Sequence, residues 1–174
     1  MIQIIYRTIL LTAVGGALMA VYLMINHREN LVHDPVTMPE WIPFWPLLAI
    51  PYLGMLIVPG CLSLFIREQR DFYQYLVSIT IAFLVVGGIW YFYPTEMIRP
   101  PIPGNWQSHV YREMVSVDNP VCIVPCGHVI TPISVFCILL RQNSRWFFWL
   151  LPLLSLGIIS IVVTWQHRPI DVIY

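Results

Sequence analysis

The chain has 174 residues, of which 58% are hydrophobic and only 10% charged. That balance excludes an ordinary soluble domain, which needs more charge at its surface. All nine basic residues are arginines, set against nine acids, so the net charge is zero and no basic field points to nucleic acid.

In chain order, five apolar segments are predicted to cross a bilayer. A crossing takes about 20 mostly apolar residues at ~1.5 Å each. The first is 4–25. Its apolar run is too long for a signal-peptide core and no small-x-small cleavage site follows, so a retained helix is expected. The second is 41–66 and the third 72–93. Gly15, Gly16, Gly87 and Gly88 either allow close helix packing or reflect the ordinary frequency of glycine in membrane helices. Residues 94–125 form the one sizeable polar stretch. Pro94, Pro100, Pro101, Pro103 and Pro120 make it extended and turn-rich rather than a second domain. The fourth segment, 127–140, is short and carries Pro132, which removes a backbone donor. The fifth is 146–165. Pro169 then suits the first turn of a sixth helix, and the sequence ends three residues after Asp171. The fold class is therefore an all-α integral membrane protein. One helical-bundle domain is expected over 1–174, with five spans, the start of a sixth and the loop 94–125 within it. Seven tryptophans and nine tyrosines suit long water–lipid boundaries.

Arginine sets the expected orientation. With the N-terminus inside, short inner stretches hold Arg7, Arg67, Arg70, Arg141 and Arg145. The longer outer stretches hold Arg28, Arg99, Arg112 and Arg168. They also carry most of the acids: Glu29, Asp34, Glu40, Glu96, Glu113, Asp118 and Asp171. The density contrast follows the positive-inside rule. It implies a multi-pass protein of the inner or plasma membrane whose loop 94–125 faces away from the cytoplasm.

Two short motifs carry chemistry: Pro125-Cys126-Gly127-His128 and His167-Arg168-Pro169-Ile170-Asp171. Two crossings separate them, so both fall at one membrane face. His128 stands at the start of a helix, where free backbone N–H groups favour anions, and Gly127 lets a ligand approach the backbone. Such a histidine either donates a proton to a leaving oxygen or simply hydrogen-bonds a headgroup. His167 and Asp171 are spaced i, i+4. A carboxylate on one ring nitrogen would leave the other as nucleophile or base; a surface pair is the plainer alternative. Arg168 and Arg99 either hold a phosphate or touch lipid headgroups.

The cysteines Cys61, Cys122, Cys126 and Cys137 show no zinc-ribbon spacing. Cys61 and Cys137 lie in apolar runs. Cys122 and Cys126 are close enough for a disulfide in an oxidising compartment, which spacing does not decide. A zinc set of Cys122, Cys126, His128 and His167 fits no usual pattern, and neither metal nor cofactor is expected.

These motifs resemble the type 2 phosphatidic acid phosphatase superfamily of membrane lipid phosphatases and phosphotransferases. Its three signatures run in order: Lys-x6-Arg-Pro, Pro-Ser-Gly-His and Ser-Arg-x5-His-x3-Asp. Arg99-Pro100 matches the end of the first, Pro125-Cys126-Gly127-His128 the second with one change, and Ser160, His167 and Asp171 the third. The resemblance implies a metal-free mechanism. His167 would attack phosphorus, Asp171 would orient it, and His128 would protonate the leaving group. Arg99 and the backbone amides near Cys126-Gly127 would hold the phosphoryl oxygens; Arg168 is a further phosphate-binding candidate from its position beside His167, not from the signatures.

Three positions depart from the pattern: Phe92 stands at the family lysine, Ile161 at the arginine and Cys126 at the serine. The expected activity is hydrolysis of a lipid phosphomonoester or pyrophosphate. Alternatives are headgroup transfer between phosphodiesters, as in sphingomyelin and inositol-phosphoceramide synthases, and a non-catalytic scaffold. Expected partners are a lipid phosphate and membrane lipids, with a homo-oligomer or a larger membrane complex as the assembly.

Overall fold

A computed structural model describes residues 2–28 and 34–173. Glu29, one of the acids expected outside, lies beyond the described residues. The helices are α1 (Ile2–Asn26), α2 (Ala49–Ser63), α3 (Gln69–Phe92), α4 (His109–Val117), α5 (Ile130–Arg141), α6 (Trp146–Val163) and α7 (Pro169–Ile173). Strands β1 (Asp34–Val36) and β2 (Thr95–Met97) pair in parallel, with Asp34 opposite Thr95 and Val36 opposite Met97.

Among the described residues, four helices are long and apolar enough to cross a membrane: Ile2–Asn26, Pro46–Ser63, Gln69–Phe92 and Trp146–Val163. Helices are what such sequences form, because every backbone group in hydrocarbon must find its partner within the segment. The expected fourth span is shorter. Gly127–Arg141 is apolar, but a helix of its length rises only about 22 Å at ~1.5 Å per residue.

The helices pack unevenly. α6 lies along α2, α5 bridges α2 and α3, and α1 packs mainly along α3. The α2–α6 contact depends on a glycine, because a Cβ at Gly157 would collide with the Met55 side chain. Of the four glycines considered for helix packing, a Cβ added to Gly87 would stand 3.5 Å from Ile25 Cδ1, whereas one on Gly15, Gly16 or Gly88 would meet nothing within 4 Å.

The two bundle ends differ chemically. At one, Arg7 bonds the carbonyls of Leu64 and Ile66, while Asp71 takes Arg141 and Gln142. Arg7 and Arg141 are two of the arginines assigned to a common side. The other end carries the short ribbon, α4 and both histidine motifs.

The loop 94–125 is more ordered than its prolines suggest. Besides β2 it contains α4, where Tyr111 and Met114 are buried one turn apart. α5 and α6 both stop in Schellman motifs. In α5, Asn143 (φ 48°) closes on Leu140 O and Ser144 on Leu139 O. In α6, Trp165 (φ 55°) closes on Val162 O and Gln166 on Ile161 O. The residue in the left-handed conformation satisfies the last carbonyls and turns the chain. For α6, that turn delivers His167. Pro169 opens α7, as its fixed φ favours.

Candidate active site

The two histidine motifs meet. His128 Nδ1 lies 2.8 Å from His167 Nε2, with the rings edge to face and their centroids 4.8 Å apart. His167 is buried; its other nitrogen, Nδ1, lies 2.6 Å from the carbonyl oxygen of Ile123. A carbonyl only accepts, so Nδ1 of His167 carries the proton. Neutral His167 then has its lone pair on Nε2, and His128 Nδ1–H donates to it. Burial first, then the neighbouring His128, holds His167 well below the ordinary histidine value, which keeps that lone pair free.

The carbonyl that fixes His167 is itself anchored. Thr95 Oγ accepts from the backbone N–H of Ile123 (3.1 Å) and of Val124 (3.2 Å). Thr95 belongs to β2, so the ribbon positions the carbonyl and the carbonyl positions the imidazole. His128 is held otherwise. Its ring lies 5.3 Å from the Tyr52 ring of α2. The loop before it is tied to α3, where Trp90 Nε1 donates to Pro125 O at 3.0 Å. Gly127 serves this packing: a Cβ there would stand 2.5 Å from the Trp90 ring. Its place next to the indole explains the glycine without a ligand.

Asp171 is buried in the same region, but its hydrogen bonds go to Arg168. The carboxylate accepts from Arg168 Nη2 at 2.8 Å, from Nε at 3.1 Å and from the backbone N–H at 2.9 Å. The last closes the start of α7 as a capping box does. The orienting acceptor on His167 is therefore the Ile123 carbonyl, and Asp171 holds Arg168. Backbone also links the motifs: Cys126 N–H donates to Asp171 O at 3.0 Å.

Arg99 reaches the site from β2's far end. It donates to Asp118 O at 2.9 Å, to Asp118 Oδ2 at 3.4 Å and to Gln166 Oε1 at 2.8 Å. Gln166 directly precedes His167, so Arg99 braces the turn that carries the nucleophile candidate. Asp118 also takes Tyr22 and Asn26 of α1. Arg99 Nε and the Tyr111 hydroxyl are buried with no hydrogen-bond partner among the described residues.

The departures from the resembled signatures are placed as well. Phe92 is exposed, and Ile161 lies in the core beside Cys126 and Tyr111. Cys122 and Cys126 are free buried thiols, each pushed up to about 12, by burial above all. Cys126 Sγ lies 3.8 Å from His128 Nδ1. Ligand atoms of Cys126, His128 and His167 all lie within 4.8 Å of one another.

Several members of the site carry no motif: Asp118, Tyr52, Gln166 and the Ile123 carbonyl. Gln166 had a usable signal, since it adjoins His167. Asp118 had none, being one of several loop acids. Below the histidines a cavity of about 660 Å³ extends among α1, α2 and α3, with His128, Asp118 and Tyr22 at its polar end.

Fold and site together define a helical protein with membrane-length apolar helices and a buried histidine pair at one end. Comparison with protein-family models, with curated proteins and with solved structures finds nothing that matches the chain.

Proposed function

We propose that the protein is a multi-pass membrane enzyme that hydrolyses a lipid phosphate ester through a phosphohistidine on His167. The carrying observation is the His128–His167 contact at 2.8 Å, with Nδ1 of His167 already engaged by Ile123 O. One ring offers a fixed lone pair and the other a proton on the facing nitrogen, as nucleophilic and acid catalysis require.

The chemistry runs in two halves. Substrate phosphorus enters between the rings, and the His128–His167 bond opens. Nε2 attacks phosphorus and the P–O bond to the lipid alcohol breaks. Protonated His128 gives its proton to that oxygen. In the second half neutral His128 takes a proton from water as the water oxygen attacks the N–P bond's phosphorus, releasing phosphate and regenerating His167. Arg99 Nε and the Tyr111 hydroxyl are buried donors suited to phosphoryl oxygens, where preorganised donors stabilise developing charge. The resemblance to the type 2 phosphatidic acid phosphatases supports the same roles for His167 and His128.

In this reading α5 is a short fifth crossing, the N-terminus is inside, and the site faces away from the cytoplasm. A start of α5 that meets the end of α6 fits two crossings between them.

A second reading has its own observation. Both candidate phosphate-binding arginines face carboxylates, Arg99 with Asp118 and Arg168 with Asp171. A pocket with its cations neutralised suits a phosphodiester monoanion better than a monoester dianion, which favours headgroup transfer. One assay separates the two. Purified protein is given a 32P-labelled lipid phosphate and a 32P-labelled phosphodiester lipid with an acceptor alcohol. Hydrolysis gives free phosphate, whereas transfer gives labelled acceptor. His167→Ala should abolish either product; unchanged turnover in that variant would overturn the proposed nucleophile.

A further inference from the structure

The fold gathers a thiol and two imidazoles that the chain keeps apart. The histidines are 39 residues distant in sequence, yet His128 Nδ1 lies 2.8 Å from His167 Nε2 and 3.8 Å from Cys126 Sγ. All three atoms fall within 4.8 Å of one another. Around a tetrahedral zinc ion two ring nitrogens stand about 3.3 Å apart and a nitrogen and a sulfur about 3.5 Å, from Zn–N of ~2.0 Å and Zn–S of ~2.3 Å. The three atoms are thus spaced much as a ligand set is, and seating an ion parts the nitrogens by about half an ångström.

The surroundings suit a metal as well as the ligands do. A metal-bound histidine usually donates its second N–H to a fixed acceptor, which holds the ring and strengthens the ligating nitrogen. His167 has that arrangement, with Nδ1–H on Ile123 O at 2.6 Å and Nε2 turned to His128. Cys126 is a buried free thiol, so no disulfide claims its sulfur. The nearby carboxylate of Asp171 is taken by Arg168. Sulfur and nitrogen alone make a soft donor set, which suits Zn2+ and not Mg2+ or Ca2+, whose ligands are oxygens. The resembled signature has serine where Cys126 stands, so the set belongs to this chain rather than to the motif. The cavity that His128 lines gives an ion its way in.

We propose that Cys126, His128 and His167 form a reversible zinc site whose occupation switches the enzyme off. The site stands on the ligand positions; the switch rests on the hydrolase reading. On binding, the Cys126 thiol loses its proton to solvent and a thiolate–zinc bond forms. His128 exchanges its Nδ1 proton for one on Nε2, so both facing nitrogens give lone pairs to the ion. Nothing is oxidised or reduced. Three protein ligands leave the fourth position to water. Nε2 of His167 then holds zinc in place of phosphorus, and His128 has no proton on the facing nitrogen to give to a leaving group.

Cobalt reads the site without turnover. The full chain in detergent, stripped with EDTA and freed of it, is titrated with Co2+ as wild type, Cys126→Ser and Cys122→Ser. Wild type and Cys122→Ser should each show a thiolate-to-cobalt charge-transfer band in the near ultraviolet and the strong visible bands of four-coordinate cobalt. Cys126→Ser should lose the charge-transfer band. Zn2+ should displace the cobalt, whereas Mg2+ should not. Changes outside the ligand set already cost about 10–100-fold in metal affinity, so loss of the thiolate should weaken Zn2+ binding by about a hundredfold or more. A wild-type spectrum without a thiolate band would overturn the site, and that result needs no variant to fold. A band that survives in Cys126→Ser would overturn it too. Phosphate release from a lipid phosphate is followed in the same samples, each against its own zinc-free rate. Bound zinc that speeds release would overturn the switch. A thiolate band without turnover, with or without zinc, sinks the hydrolase reading and the switch with it but leaves the site; zinc-free turnover without a band sinks the site alone.

Discussion

Replacing Asp171 with asparagine separates two roles for that carboxylate. The hydrogen bonds assign Asp171 to Arg168, through a two-pronged side-chain contact and one backbone N–H. The substitution Asp171→Asn keeps the shape and loses the charge. Charge-assisted hydrogen bonds contribute about 1.5–3 kcal/mol each. Arg168 is 33% exposed at its side chain, so water screens part of that gain. A net loss of about 2 kcal/mol follows, or a fall in Tm of roughly 4–8 °C for a chain of this size. His167 keeps its Ile123 acceptor, so kcat should fall by less than about tenfold. The assay is a thermal melt in detergent beside a phosphate-release rate, repeated for Arg168→Gln and for the double variant. The double variant should lose little more stability than either single one, because the pair acts together. An unchanged Tm with a loss of about 10³–10⁴ in kcat would refute this and return Asp171 to orienting the nucleophile, as a triad carboxylate does.

Acid should destabilise the protein through His167. Its folded value lies below the unfolded one of about 6.5, so its stabilising contribution is complete above that pH. The contribution declines as pH falls from there towards the folded value, by at most about 1.4 kcal/mol per pH unit. A Tm series from neutral to mildly acidic pH should show this slope, and His167→Gln should flatten it; equal slopes would count against burial of the neutral ring. Gly157→Ala should cost about 1–3 kcal/mol, because the new methyl meets the Met55 side chain, whereas Gly88→Ala should be tolerated. Comparable melts for both variants would contradict the α2–α6 packing described. Phosphate release should persist in EDTA. Added Zn2+ should inhibit it by capturing the clustered Cys126, His128 and His167, less so in Cys126→Ser. Loss of activity in EDTA with recovery on zinc addition would replace the phosphohistidine route with a metal-dependent one.

The helices were legible because each is a long apolar run with few alternatives in hydrocarbon. α4 left a fainter signal: Val110, Tyr111, Met114 and Val115 recur with helical spacing, but nearby prolines argued for an irregular loop. The sequence places the two histidines at one face on the expectation of two crossings between them, and the structure brings the start of α5 to the end of α6, where they meet. What holds the pair could not be read this way. The acceptor on His167 is a main-chain carbonyl of Ile123, and any residue supplies one. The partner of Asp171 follows from the local geometry of α7, where a carboxylate three residues on reaches back to Arg168. The ribbon was hidden for another reason: three-residue parallel strands joined across more than fifty residues carry no periodicity.

That ribbon has a mechanical consequence. The imidazole of His167 takes its bearing from Ile123, Ile123 from Thr95, and Thr95 from a strand paired with the segment after α1. The acceptor that orients His167 thus sits outside the apolar helices, like a gunsight mounted on the deck rather than on the hull. The other half of the pair is held by the helices themselves, His128 against Tyr52 of α2 and its loop by Trp90 of α3. Thr95→Val is therefore the change that would free the His167 ring while leaving the helix contacts around His128 in place.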